Sequence, residues 1–133
     1  MSERYDKEPS RAERLRLENR RKACMIEVGH EELCVDPSLP FLNIIGKKYT
    51  LLILGVIGNR SGGPNFNEIL RDIPFSSSTI ISKRLKELLD LNIISRENRD
   101  GRVTYSLTDS GKAIREAIIP FIKVLAELSD ANQ

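Results

Sequence analysis

Apolar positions recur at helical spacing over most of this chain and at alternate spacing over one short stretch, and the change of period organises the reading. Residues 1–9 read as disordered. Ser10 with Glu13 three positions later has the form of a capping box, and the stretch from Arg11 to about Val28 is helix-prone. Leu15, Ala23 and Ile26 give that helix only a thin apolar stripe, so it requires a partner surface, and Gly29 ends it. His30 to Asp36 is acidic, and Pro37 and Pro40 mark a boundary. Leu39 to Ile45 reads as a short buried helix. Lys47 to Ile57 reads as a second, with Leu51, Leu52, Leu54, Val56 and Ile57 inward. Asn59 to Pro64 is a loop by its turn formers. Phe66, Ile69 and Leu70 then share the core side of a short helix that ends in the turn Asp72 to Ser76.

The next stretch, Ile73 to Leu89, is the one the rest is built to present. Ser77 starts a helix with Ile81, Leu85, Leu88 and Leu89 on one side. Ser78, Thr79, Ser82, Lys83 and Lys86 fall mostly on the other, a short, hydroxyl-rich, basic face. After Asp90 the period shortens to two. Ile93 and Ile94 lead into Ser95-Arg96-Glu97, and Val103 to Leu107 alternate beyond Asn98-Arg99-Asp100-Gly101, two strands around an Asp-Gly turn that predict a β-hairpin. Thr108 caps a last helix, in which Ile114, Ile118, Phe121, Leu125 and Leu128 recur at steps of 4, 3, 4 and 3, a coiled-coil seam. Pro120 interrupts the pattern and should kink or split the helix near Ala117. Three helices followed by a two-stranded hairpin define a winged helix-turn-helix: mainly α with a small β-hairpin, carrying helical extensions at both ends.

Composition narrows the function little. A formal net charge of +2 on 133 residues is too small to argue for nucleic acid by itself, so local placement carries that case. No apolar run approaches a membrane span and the charged N-terminus lacks a signal-peptide pattern, which points to the cytoplasm. Two cysteines, Cys24 and Cys34, are too few for a disulfide scaffold and read as reduced thiols. With His30 they match no standard zinc spacing. No Ser-His-Asp or Cys-His-Asp set is available, and Gly58 to Gly63 lacks the Gly-Lys-Ser ending of a phosphate loop. No enzyme, cofactor or metal site is read here.

The ordered series Cys34, Ile45-Gly46-Lys47-Lys48-Tyr49-Thr50, Leu54, Phe66-Asn67-Glu68-Ile69, Ile73, Ser77, Arg84-Leu85-Lys86-Glu87-Leu88, Ile93-Ile94-Ser95-Arg96 and Tyr105 to Gly111 resembles the HxlR-type winged-helix regulators, relatives of the MarR class. It covers about residues 34 to 128. Tyr49 stands where that family usually has Trp, the wing lacks its usual proline, and the first ~30 residues have no counterpart in the usual pattern. The resemblance implies a DNA-binding homodimer acting on transcription.

The candidate residues follow. Ser77, Ser78, Thr79, Ser82 and Lys83 at the start of the recognition helix are placed to meet base edges in a major groove. Arg84 joins them through the family motif, with packing or an ion pair as its rival role. Arg99 and Arg102 flank the wing turn, for a minor groove or phosphates, against a solvated hairpin tip. Lys47 and Lys48 begin a helix whose N–H groups would help to bind phosphate. Ile114, Ile118, Phe121, Leu125 and Leu128 form the dimer seam, part of which can serve the protein's own core. Cys34 is open between a structural and a thiol-sensing role, since family members with a cysteine there include sensors of electrophiles or oxidants; its acidic neighbours Glu31, Glu32 and Asp36 would raise a thiol pKa.

The expected organisation is a basic N-terminal extension over 1–33, a winged-helix domain over 34–108 and a dimerisation helix over 109–133. The expected function is sequence-specific regulation of transcription by a homodimer on double-stranded DNA, with no membrane partner and an unidentified effector. The rivals are a winged helix used for protein–protein contact and a redox switch acting through Cys34.

Overall fold

A computed structural model describes residues 10–16 and 25–131, and the chain falls into two compact units, Met1–Leu42 and Asn43–Gln133. In the first unit residues 11–16 are helical (α1). The Ser10 hydroxyl accepts from the Glu13 N–H at 3.2 Å and the Glu13 carboxylate accepts from the Ser10 N–H at 3.3 Å, the reciprocal capping box. The expected continuation of that helix to Val28 is wrong at its end. Met25–Val28 (β1) and Glu31–Cys34 (β2) are antiparallel strands, with Ile26 opposite Leu33 and Val28 opposite Glu31. Ile26 and Val28 alternate with Glu27, the period of a strand, and Gly29 at φ +63° opens a two-residue turn instead of ending a helix. Residues 1–9 and 17–24, where disorder and the middle of that helix were expected, lie outside the described residues.

Pro40–Ile45 (α2) is not the buried helix expected: only Ile44 is buried, and Leu39 and Leu42 are exposed. The next helix, Thr50–Ile57 (α3), begins three residues later than its sequence suggests. Tyr49 before it adopts φ +74°, and the buried Thr50 donates its hydroxyl to the Ile44 carbonyl at 2.7 Å. Ile53, Leu54 and Ile57 enter the core, Leu51 and Val56 are half-buried, and Leu52 is exposed, contrary to expectation.

Phe66–Asp72 (α4) starts from a second capping box, between Asn65 and Glu68, and buries Ile69. Ser78–Asp90 (α5) has Ser77 as N-cap, its hydroxyl accepting from Ile80 N–H at 3.4 Å, and buries Ile81, Leu85 and Leu88. Ile94–Arg99 (β3) pairs antiparallel with Arg102–Leu107 (β4), from Ile94 opposite Leu107 to Arg99 opposite Arg102. Both residues of the turn, Asp100 at +52° and Gly101 at +83°, have positive φ, the type I′ requirement that makes Asp-Gly a hairpin signal.

Asp109–Ala131 (α6) closes the chain as one continuous helix. Pro120 does not split it: Pro120 and Glu116, whose carbonyl loses its helical donor, are both exposed, so water can satisfy that oxygen. At its start the Thr108 N–H and hydroxyl both reach the Ile93 carbonyl, at 3.1 and 2.9 Å, and the hydroxyl accepts from Gly111 N–H. Gly111 lies so close to that same carbonyl that a Cβ would collide with it. The core that these elements enclose is aliphatic: Ile53, Leu54, Ile57, Ile69, Ile81, Leu85, Leu88 and Ile94 are at most 2% exposed. Each such side chain stabilises the fold by about 1.5–3 kcal/mol relative to exposure.

Candidate nucleic-acid interface

α5 is held rigidly from behind. Its apolar positions lie in the core, which leaves Thr79, Ser82, Lys83 and Lys86 on the solvent side at steps of 3, 1 and 3, one stripe along the helix, with Ser78 beside it. All five are exposed. Lys83 has no carboxylate partner among the described residues. Ser77 is half-buried and its hydroxyl is engaged as the cap.

Arg84 sits apart from that stripe. Its side chain is 13% exposed, donates to the Lys48 carbonyl at 3.2 Å and pairs with Glu87 at 2.6 Å. Lys47 reaches the same Glu87 at 3.2 Å. Arg84 therefore ties the segment before α3 to α5 and has little freedom to reach a ligand. Desolvation pushes the Glu87 carboxyl upward, but the hydrogen bonds and charges of Lys47 and Arg84 outweigh it and hold its pKa below the ordinary value. Neither lysine sits at a helix start. Lys47 and Lys48 precede Tyr49, the residue ahead of Thr50, and the Lys48 ammonium lies 5.1 Å from the centre of the Tyr49 ring.

The wing arginines both have acidic neighbours. Arg99 pairs with Glu97 at 3.0 Å and remains 79% exposed; Arg102 reaches Glu68 at 3.5 Å. Glu68 belongs to a cluster that sequence reasoning missed. Arg60 pairs with Glu68 at 2.9 Å and makes a two-pronged contact with Asp72 at 2.9 and 3.1 Å. The backbone N–H of Asn65 together with Arg60 and Arg102 lowers the Glu68 pKa, against some desolvation. The Arg60 hydrogen bond lowers that of Asp72, and Asp72 in turn raises that of Arg60. The cluster links the loop after α3, helix α4 and the wing, and so ties the wing to the helix that precedes α5. Its ion pairs join residues 8, 12 and 34 positions apart in sequence, so no local pattern announces it.

One further residue escaped the sequence reading. Phe75, in the turn just before α5, has φ +64° and a side chain that is 103% exposed. The left-handed conformation costs a residue with a side chain on the order of 1–2 kcal/mol.

The five seam residues of α6 divide in two. Ile114 and Ile118 are half-buried, whereas Phe121, Leu125 and Leu128 are exposed, as is Val124 beside them. Between α3 and α6 runs an open, mostly apolar groove of about 780 Å3, lined among others by Tyr49, Leu52, Ile118, Phe121 and Leu125. Arg115 pins α6 beside it, donating to the Gly55 carbonyl at 3.1 Å and the Asn59 side chain at 2.8 Å.

Cys34 ends β2 and is disulfide-bonded, which corrects the expectation of reduced thiols. The chain's other cysteine, Cys24, lies outside the described residues. Among the described residues no group of three His, Cys, Asp or Glu side chains is placed to hold a metal ion, and no helix is long and apolar enough to cross a membrane.

Comparison with known proteins agrees with this architecture. A family model described as HxlR-like helix-turn-helix matches residues 44–132. The chain is 36% identical over 94 residues to YvaP of Bacillus subtilis, an uncharacterised HTH-type transcriptional regulator, covering 68% of this chain and 85% of that protein. A possible HxlR family transcriptional factor from Thermoplasma volcanium superposes with a TM-score of 0.75 at 40% identity, over 80% of this chain and 96% of that one. The reduced form of the transcriptional regulator YodB from B. subtilis gives 0.56 at 29% identity, over 65% and 85%; YodB is also known in diamide-treated and quinone-bound forms.

Proposed function

This chain belongs to the HxlR-like helix-turn-helix family of transcriptional regulators, and on that footing we propose that it is a homodimer that binds double-stranded DNA sequence-specifically in the cytoplasm. The observation that carries the reading is the exposed stripe of Thr79, Ser82, Lys83 and Lys86 on a helix whose opposite face is wholly in the core. Hydroxyls donate to or accept from several base edges, and a lysine reaches guanine acceptors or phosphate. The wing, with Arg99 and Arg102 beside a type I′ turn, follows the adjacent minor groove or backbone. Their carboxylate neighbours exchange for phosphate on binding, so the wing contributes affinity that falls steeply with salt. Two copies of α5 enter successive major grooves about one helical turn apart, joined through the exposed half of α6.

The test is the double change Ser82→Ala with Lys83→Ala. It should weaken binding to the wild-type target duplex by about tenfold to a hundredfold, at about 1–3 kcal/mol of discrimination, and leave the melting temperature unchanged. Equal affinity of the double variant and wild type would sink direct readout and favour a protein-contact role for the winged helix.

A second reading rests on the Cys34 disulfide: its reduction to two thiols changes DNA affinity. YodB, known in reduced and diamide-treated forms, supports asking the question. Titrating the duplex with and without a dithiol reductant decides it, and identical curves reject the switch.

A further inference from the structure

The turn that feeds α5 carries an aromatic side chain for which the fold has no use. The Ser76 N–H donates to the Ile73 carbonyl at 3.3 Å, so Ile73 to Ser76 is a four-residue turn with Pro74 second and Phe75 third. A proline second and a positive φ third is the type II pattern, whose third position favours Gly or Asn. Phe75 holds that position at φ +64° with its side chain entirely in solvent, so it contributes no core packing while straining the backbone. Residues held in such conformations cluster at binding sites.

Its location says what it can bind. Phe75 lies two residues before the N-cap Ser77, at the end of α5 whose first residues face the groove, beside the exposed Ser78 and Thr79. A phenyl ring has no donor or acceptor for phosphate or for the polar base edges. The apolar feature that the major groove offers is the C5-methyl group of thymine. We propose that Phe75 is a specificity-determining residue that packs its ring against a thymine methyl in each half-site. The inference rests on the DNA-binding reading above and adds one base preference that the hydroxyl and lysine side chains of α5 do not supply.

The experiment removes the methyl group from the DNA and the ring from the protein, separately and together. A duplex is first selected by the wild-type protein from a randomised library, and each thymine is then replaced singly by deoxyuridine. At one thymine per half-site the loss of the methyl should weaken wild-type binding about fourfold, the ratio expected for one buried methyl group. Phe75→Gly and Phe75→Asn both suit the turn, so they should fold with an equal or higher melting temperature. They should bind the selected duplex about tenfold more weakly and respond less than twofold to the same deoxyuridine. The proposal is overturned if no thymine shows the methyl effect, if the effect persists in the Phe75 variants, or if those variants bind as wild type or lose only self-association. A wild-type protein that enriches no duplex would instead refute the DNA-binding reading itself, a result distinct from any of these.

Discussion

In α5 the apolar positions Ile81, Leu85 and Leu88 are all closed over by neighbouring elements, and Ile80 and Leu89 are half-buried, so no fully exposed apolar side chain is left on the helix. In α6 the first two seam residues lean on the core while Phe121, Val124, Leu125 and Leu128 stand in water. The two amphipathic helices thus differ in what completes them. α5 is finished by its own chain, and its polar side is left over for a ligand. α6 keeps an apolar side open to something from outside, which in the dimer proposed above is a second copy of itself, paired symmetrically.

The sharpest way to break this contrast is to make the same change in both helices. Leu85→Ala should destabilise the fold by about 2–5 kcal/mol, read by thermal or denaturant unfolding of the isolated chain. Leu128→Ala should change intrinsic stability by less than about 0.5 kcal/mol yet raise the dimer dissociation constant in sedimentation. Similar stability losses at the two sites would refute the division. Next in size, Arg84→Ala should cost about 1 kcal/mol by leaving Glu87 to Lys47 alone and releasing the segment before α3. If Arg84 served mainly as a ligand contact, the variant would instead fold normally and bind poorly.

A smaller effect is set by pH. Glu68, Asp72 and Glu87 all have pKa values below their ordinary ones, so the native state holds fewer protons than the unfolded chain in the acid range. Their contribution is complete above the unfolded carboxylate value of about 4 and is lost as pH falls toward the depressed values. Acid unfolding should be shallower for Asp72→Asn than for wild type, and parallel curves would deny the cluster that role. Smallest of all, Asp100→Asn suits the same type I′ turn, so stability should hold while non-specific DNA affinity rises slightly. Unchanged affinity would place the wing tip away from phosphate.

Features that rest on neighbours in sequence were legible before the structure. Ser77 as a cap, the Asp100-Gly101 turn, the change of period after Asp90 and the extent of α6 are all local signals. The misses share a different physics. Lys47 and Arg84 look like groove cations until folding brings Glu87 between them, 40 and 3 residues away. The β1–β2 hairpin was lost because Gly29 serves equally as a helix terminator and as a turn, and the Arg-rich flank weighed toward helix. Phe75 gave no signal because a strained backbone at an aromatic residue contradicts propensity.

Gly111 has a mechanical meaning. Wedged against the Ile93 carbonyl and bonded to the Thr108 hydroxyl, it seats the base of α6 tightly on the segment that leads into β3. With 23 residues α6 is a rod of about 34 Å, so a pivot of about 5° at that fulcrum swings the far tip by about 3 Å. In the dimer proposed above, joined through the exposed half of α6, the gearing would also run backward. On that proposal, a small wedge between the rods would change the spacing of the two α5 helices, which has to match the helical repeat of DNA.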